Sequence, residues 1–162
     1  MGQDQRMKVY LDTCIISGLA KEDLDESEWA ASLQILKLHK DKVIETITSP
    51  VAKEEIDRIP EIYRSRHLEV YDLLKGIPAV GYLRLDFFSV SGLRVKQTKE
   101  FGALFSLLHD RDDAKHIYQA YRSGVNYFIT VDRRSILNKY VEIYSICKVK
   151  EYAPSEFINN RS

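Results

Sequence analysis

Apolar and polar positions along the chain fall into blocks of two kinds. Residues 7–12 (MKVYLD) and 43–48 (VIETIT) are short, mostly apolar runs that read as strands. Between them, DLDESEWAASLQILKLHK sets Trp29, Leu33 and Leu36 at helical spacing. Asp25 or Ser27 is placed to cap that helix, with acids in its first turn. SPVAKEEIDRI predicts a second helix, with Ser49 at the N-cap and Pro50 at the first helical position. EIYRSRHLEVYDLLK also reads as a helix, 79–85 (AVGYLRL) as a strand, 86–96 as irregular and 97–108 as a helix. From residue 110, DRDDAKHIYQAYRSG predicts a helix with an acidic start and a stop at Gly124. VNYFITVD (125–132) follows as a strand, RRSILNKY as a short basic helix and EIYSICKV (142–149) as a last strand. Strands and helices alternate, and the strand runs are continuous rather than alternating. That predicts an α/β fold with a mainly parallel sheet of about five strands and helices on both faces, a three-layer α/β/α arrangement.

With 162 residues the chain has room for one domain with a sizeable core, expected over residues 7–150. Residues 1–6 read as a polar, disordered lead with no secretory signal, and 151–162 as a C-terminal tail. No apolar run reaches the roughly 18 residues of a membrane span. The two cysteines, Cys14 and Cys147, sit in apolar runs and read as buried reduced thiols, which points to the cytoplasm. No paired Cys/His spacing suggests zinc. Basic and acidic residues balance at 24 each, so net charge neither requires nor excludes a nucleic-acid partner.

Carboxylates then change the picture. Asp12 and Asp132 stand at strand ends, where ligands bind in open parallel sheets. On the 51–59 helix, Glu55 falls within the stripe of Val51, Ala52, Ile56 and Ile59, whereas Glu54 lies off it. On the 110–124 helix, Asp113 shares the stripe of Ile117 and Tyr121, while Asp112, Lys115 and Gln119 fall on the polar face and Asp110 is placed as an N-cap. Four inward carboxylates need a shared neutralising charge, and no buried arginine or lysine suggests itself at the strand ends. An all-oxygen donor set suits a hard divalent cation, Mg²⁺ or Mn²⁺, and metal-assisted attack of water on a phosphodiester.

The segments VYLDTCIIS, TSPVAKEEI and DDAKHIYQAYRSGVNYFITVD, in this order and spacing, resemble the PIN-domain family, in particular the VapC-type toxin ribonucleases. The resemblance covers most of 7–150 and is densest at 110–132. It implies a Mg²⁺/Mn²⁺-dependent endoribonuclease acting on single-stranded RNA, with Asp12, Glu55, Asp113 and Asp132 as the catalytic, metal-binding quartet. Thr13 and Thr130 match hydroxyl positions that support such a site. It also implies an antitoxin partner and a homodimer. Arg133, Arg134 and His116 are weaker candidates for substrate contact, and His116 reads first as a packing residue.

Rival readings share these residues. A haloacid-dehalogenase-type phosphatase wants a second Asp two residues after the first, where this chain has Cys14. A response-regulator receiver wants paired acids at the first strand and a lysine at the last. A Cys14/His116 nucleophilic pair lacks an orienting third group. A PIN-like module for RNA binding or scaffolding needs no intact quartet. For RNA, the basic stretches 94–99, 133–139 and 148–150 offer phosphate contacts.

Overall fold

In the computed structural model the described residues are 6–76 and 98–161. The strand expected at 79–85 and the irregular stretch 86–96 lie outside them, as does most of the basic stretch 94–99. Strand β1 (Met7–Leu11) leads into helices α1 (Thr13–Lys21) and α2 (Glu26–Lys40). Strand β2 (Ile44–Thr48), helices α3 (Pro50–Asp57) and α4 (Glu61–Asp72) and the two-residue strand β3 (Lys75–Gly76) follow. Beyond residue 97 come α5 (Lys99–Leu108), α6 (Arg111–Arg122), β4 (Tyr127–Ile129), α7 (Tyr140–Cys147), β5 (Lys150–Tyr152) and α8 (Pro154–Asn160).

The sheet has the order β3-β2-β1-β4-β5 and every pairing is parallel. Four strands have three to five residues, and β3 is a two-residue edge, so the expected five reduce to four full strands. Alternation along β1 sends Val9 and Leu11 to one face and Tyr10 to the other. Val9 and Leu11 join a core with Ile15, Ile35, Ile56 and Phe157. Tyr10 joins Leu104, Ile117, Phe128 and Ile143 on the opposite side. Helices thus cover both faces, as a fully buried parallel sheet requires. Among the described residues no helix is long and apolar enough to cross a membrane.

Several sequence expectations are corrected. Residues 142–149 are not a strand: α7 occupies 140–147, burying Ile143 and Cys147 one turn apart while Val141 and Tyr144 face outward. Its β-branched and aromatic content suggested a strand, but its burial period is helical. The last strand comes later, at Lys150–Tyr152. The basic helix expected at 133–140 shrinks to turns and one 3-10 turn, Leu137–Lys139. Helix α1 follows β1 directly, over residues to which the apolar pattern assigned no element. On α2 the buried face is Glu28, Ala31, Ser32 and Ile35, and Leu33 is exposed. Small side chains there admit α8, and Glu28 accepts hydrogen bonds from the Ser155 N–H (2.9 Å) and hydroxyl (2.7 Å). The stretch read as a tail, 151–162, therefore carries part of β5 and all of α8. On α6, Lys115 and Gln119 are buried rather than solvated, because that helix is enclosed along Ala114–Ala120.

Candidate functional site

The site forms where β1 and β4 end side by side. Asp12 is the N-cap of α1: its Oδ1 accepts the Thr13 N–H at 2.7 Å. Its Oδ2 accepts the Thr130 hydroxyl at 2.7 Å and the Cys14 thiol at 3.1 Å. A carboxylate buried at a strand end is thus held by a helix start and by a hydroxyl from the neighbouring strand's end. Thr130 also accepts the Asp132 N–H at 3.0 Å, and Asp132 Oδ1 accepts the Ser135 N–H at 2.9 Å, opening the turn after β4.

Ser49 precedes α3 and makes no side-chain cap; its hydroxyl instead meets the Tyr10 hydroxyl. Tyr10 in turn lies 2.8 Å from His116 Nδ1, and His116 Nε2 lies 2.7 Å from Glu55 Oε2. Thr13 donates to the same Glu55 oxygen. With His116 charged, both ring N–H groups donate, one to Tyr10 and one to Glu55. Burial pushes the Glu55 carboxyl up, but the His116 hydrogen bond and charge and the Thr13 hydroxyl outweigh it and hold it below its ordinary value. Burial likewise opposes the charge on His116, yet Glu55, Asp12 and Asp113 together raise its pKa. The neutralising charge comes from a histidine one turn into α6, not from a strand end. His116, a weaker candidate for substrate contact, is interior, and both its ring nitrogens face protein partners.

Asp110 caps α6 by accepting the Asp113 N–H at 2.9 Å. Asp113 is half-buried, and its pKa is raised to about 7 by burial first, then by the charges of Asp12, Asp110 and Asp132. That response places Asp113 within electrostatic reach of two other quartet members. Its neighbour Asp112 pairs with Arg58 at 2.7 Å.

No protein-family model matches the chain, and no curated protein does. The functional reading therefore stands on these residues.

Among the described residues, no group of three or more His, Cys, Asp or Glu side chains is gathered closely enough to hold one metal ion. Two pairings account for this: Glu55 is turned to His116 and Thr13, and Asp12 to Thr13 and Thr130. Asp12, Asp113 and Asp132 nevertheless fit a hard cation by donor chemistry, and Asp113 carries an electrostatic cost that such a cation would relieve. Burial and then Asp12 push the Cys14 thiol well above its ordinary value, which disfavours the thiolate that a nucleophile needs. Arg133 is exposed but leans toward Glu156 (3.7 Å) and Glu28 (4.0 Å), and Arg134 is exposed. Sequence reasoning missed Tyr10 and Ser49, whose hydroxyls extend the Glu55–His116 pair inward. A tyrosine between Val9 and Leu11 in the first strand was the signal available.

Proposed function

We propose that the protein is a metal-dependent endoribonuclease with a PIN-like site, hydrolysing single-stranded RNA with Mg²⁺ or Mn²⁺. The supporting observation is Asp113, a half-buried acid whose proton affinity is raised first by burial and then by the charges of Asp12, Asp110 and Asp132, with Asp12 and Asp132 at strand ends of a parallel sheet. Asp12, Asp113 and Asp132 would hold the cation. Bound there, it would supply a polarised water and charge stabilisation for the departing oxygen. The chain's own part is orientation. Thr130 fixes the Asp12 carboxylate, and the backbone turn at Ser135 fixes Asp132. His116 and Thr13 keep Glu55 ionised, so it would lend negative charge to the site. A toxin role with an antitoxin partner, homodimerisation and a cytoplasmic location belong to this same reading.

A second reading, a PIN-like RNA-binding or scaffold module, is favoured by one observation: protein groups already satisfy Asp12 and Glu55. The deciding experiment is cleavage of end-labelled single-stranded RNA in Mn²⁺ by wild type, Asp12→Asn and Asp113→Asn, purified alike, with calorimetric Mn²⁺ titration of each. Cleavage and Mn²⁺ binding by wild type alone are expected. Equal cleavage by all three would remove the nuclease reading. RNA binding without Mn²⁺ binding would establish the module.

A further inference from the structure

Cys14 stands in the first turn of α1, half-buried. Its Sγ lies 3.1 Å from Asp12 Oδ2 and 3.2 Å from the Thr130 hydroxyl, and it accepts the Val131 N–H at 3.4 Å. One sulfur therefore touches both the end of β1 and the segment that follows β4.

The Val131 contact follows from how the sheet ends. The Asp12 N–H donates to the Ile129 carbonyl at 3.0 Å, where the ladder between β1 and β4 runs out. In a parallel ladder the next rung would take the Val131 N–H to the Asp12 carbonyl. That carbonyl instead starts α1, accepting the N–H of Ile15 at 3.0 Å and of Ile16 at 3.4 Å. Cys14 Sγ receives the N–H that the carbonyl leaves. The next amide, that of Asp132, is held in the same manner by the Thr130 hydroxyl. Both holding atoms, Cys14 Sγ and Thr130 Oγ1, also donate to a single oxygen, Asp12 Oδ2. Two bridges thus run from one Asp12 oxygen to the segment that carries Asp132.

We infer that Cys14 is a positioning residue of the acidic site, fixing Asp12 and Asp132 relative to each other by carrying the hydrogen bonding of the sheet past the end of β1. This role rests on the reading of Asp12, Asp113 and Asp132 as cation ligands. The thiol acts through the Asp12 carboxylate and through the peptide before Asp132, not on the cation itself. Loss of a group that orients a ligand weakens metal binding by about 10–100-fold, and a thiol, a weak donor and acceptor, belongs at the lower end.

Cys14 also packs against the core that includes Leu11 and Ile129. Bonding and filling rank substitutions oppositely. Cys14→Ser keeps a donor and an acceptor but loses apolar contact, whereas Cys14→Val fills the space and can do neither. In calorimetric Mn²⁺ titration, Cys14→Ser is expected within about threefold of wild type and Cys14→Val about tenfold weaker. Thermal melts without metal should place Cys14→Val at or above Cys14→Ser. Hydrogen exchange without metal should speed up at the Val131 amide in Cys14→Val and not in Cys14→Ser. Equal Mn²⁺ affinity in wild type and Cys14→Val, or a Val131 amide equally protected in both, would overturn the role of Cys14 and leave the cation reading standing. Mn²⁺ affinity kept in Cys14→Val and lost in Cys14→Ser would make the residue a space filler. No Mn²⁺ binding by wild type would remove the cation reading, and the positioning role with it.

Discussion

His116 Nε2 lies 2.7 Å from Glu55 Oε2, joining the middle of α6 to the middle of α3 across the end of β1. Both groups are shifted toward their charged forms, so the pair is ionic. Removing one partner strands the other, at about 3 kcal/mol given that Glu55 is partly open to solvent. His116→Ala should lose about that much in urea denaturation, and a loss below about 1 kcal/mol would mean the charges are not paired.

The same pair sets a pH window. Glu55 has a lowered folded pKa, so its contribution is present above 4.5, its ordinary value, and is lost as pH falls through the folded one. His116 has a raised folded pKa, so its contribution is complete below 6.5 and is lost as pH rises through the folded value. Stability from the pair is therefore full between those pH values. Thermal melts of His116→Gln against wild type should differ most there and converge toward both extremes.

Asp113 behaves oppositely to a paired acid. Its pKa rises from 3.8 unfolded to about 7 folded, so stability falls as pH climbs between those values. In metal-free buffer at pH 8, Asp113→Asn should gain on the order of 2 kcal/mol, after discounting for the half-exposed position. At pH 3 the gain should vanish. No gain at pH 8 would show that Asp12 and Asp132 do not press on this residue.

Thr130→Val removes the hydroxyl that donates to buried Asp12 and accepts from the Asp132 N–H. The shape is kept, so the cost is that of groups left unsatisfied, about 1–3 kcal/mol, and Thr130→Ser should recover most of it. If the nuclease reading holds, RNA cleavage should fall in the valine variant and return in the serine variant.

Glu28→Ala should loosen α8 selectively, because its carboxylate holds both the Ser155 N–H and hydroxyl. The expected loss is about 2 kcal/mol. Amide hydrogen exchange over 154–160 should accelerate more than exchange over β1. Unchanged exchange there would mean that α8 docks through Phe157 alone.

Much of this was legible in the chain. The wheel on α3 separated Glu55 from exposed Glu54, because Val51, Ala52 and Ile56 fix which side faces the sheet. The wheel on α6 found Asp113 but misjudged Lys115 and Gln119, since periodicity reports polarity, and α6 is enclosed by neighbours its own sequence does not specify. Strand propensity misled at 142–149, where Ile143 and Cys147 bury one helical turn apart. The Tyr10–His116 contact could not be read locally at all. It joins residues 106 positions apart, one on β1 and one on α6.

That strand order also governs when the site can exist. β1 is made first, yet one of its two neighbours, β4, follows well over a hundred residues later, and Asp12 reaches across 118 positions to Thr130. A nascent chain that has emerged through α5 holds Asp12 and Glu55 but neither His116 nor Thr130. It carries both acids beside Thr13 and Cys14 but without the partners that α6 and the end of β4 supply. Closing so long a loop is slow and is compensated only when the late strand arrives. Whatever chemistry the site performs, its parts are all present only once the chain extends through Asp132 and Ser135.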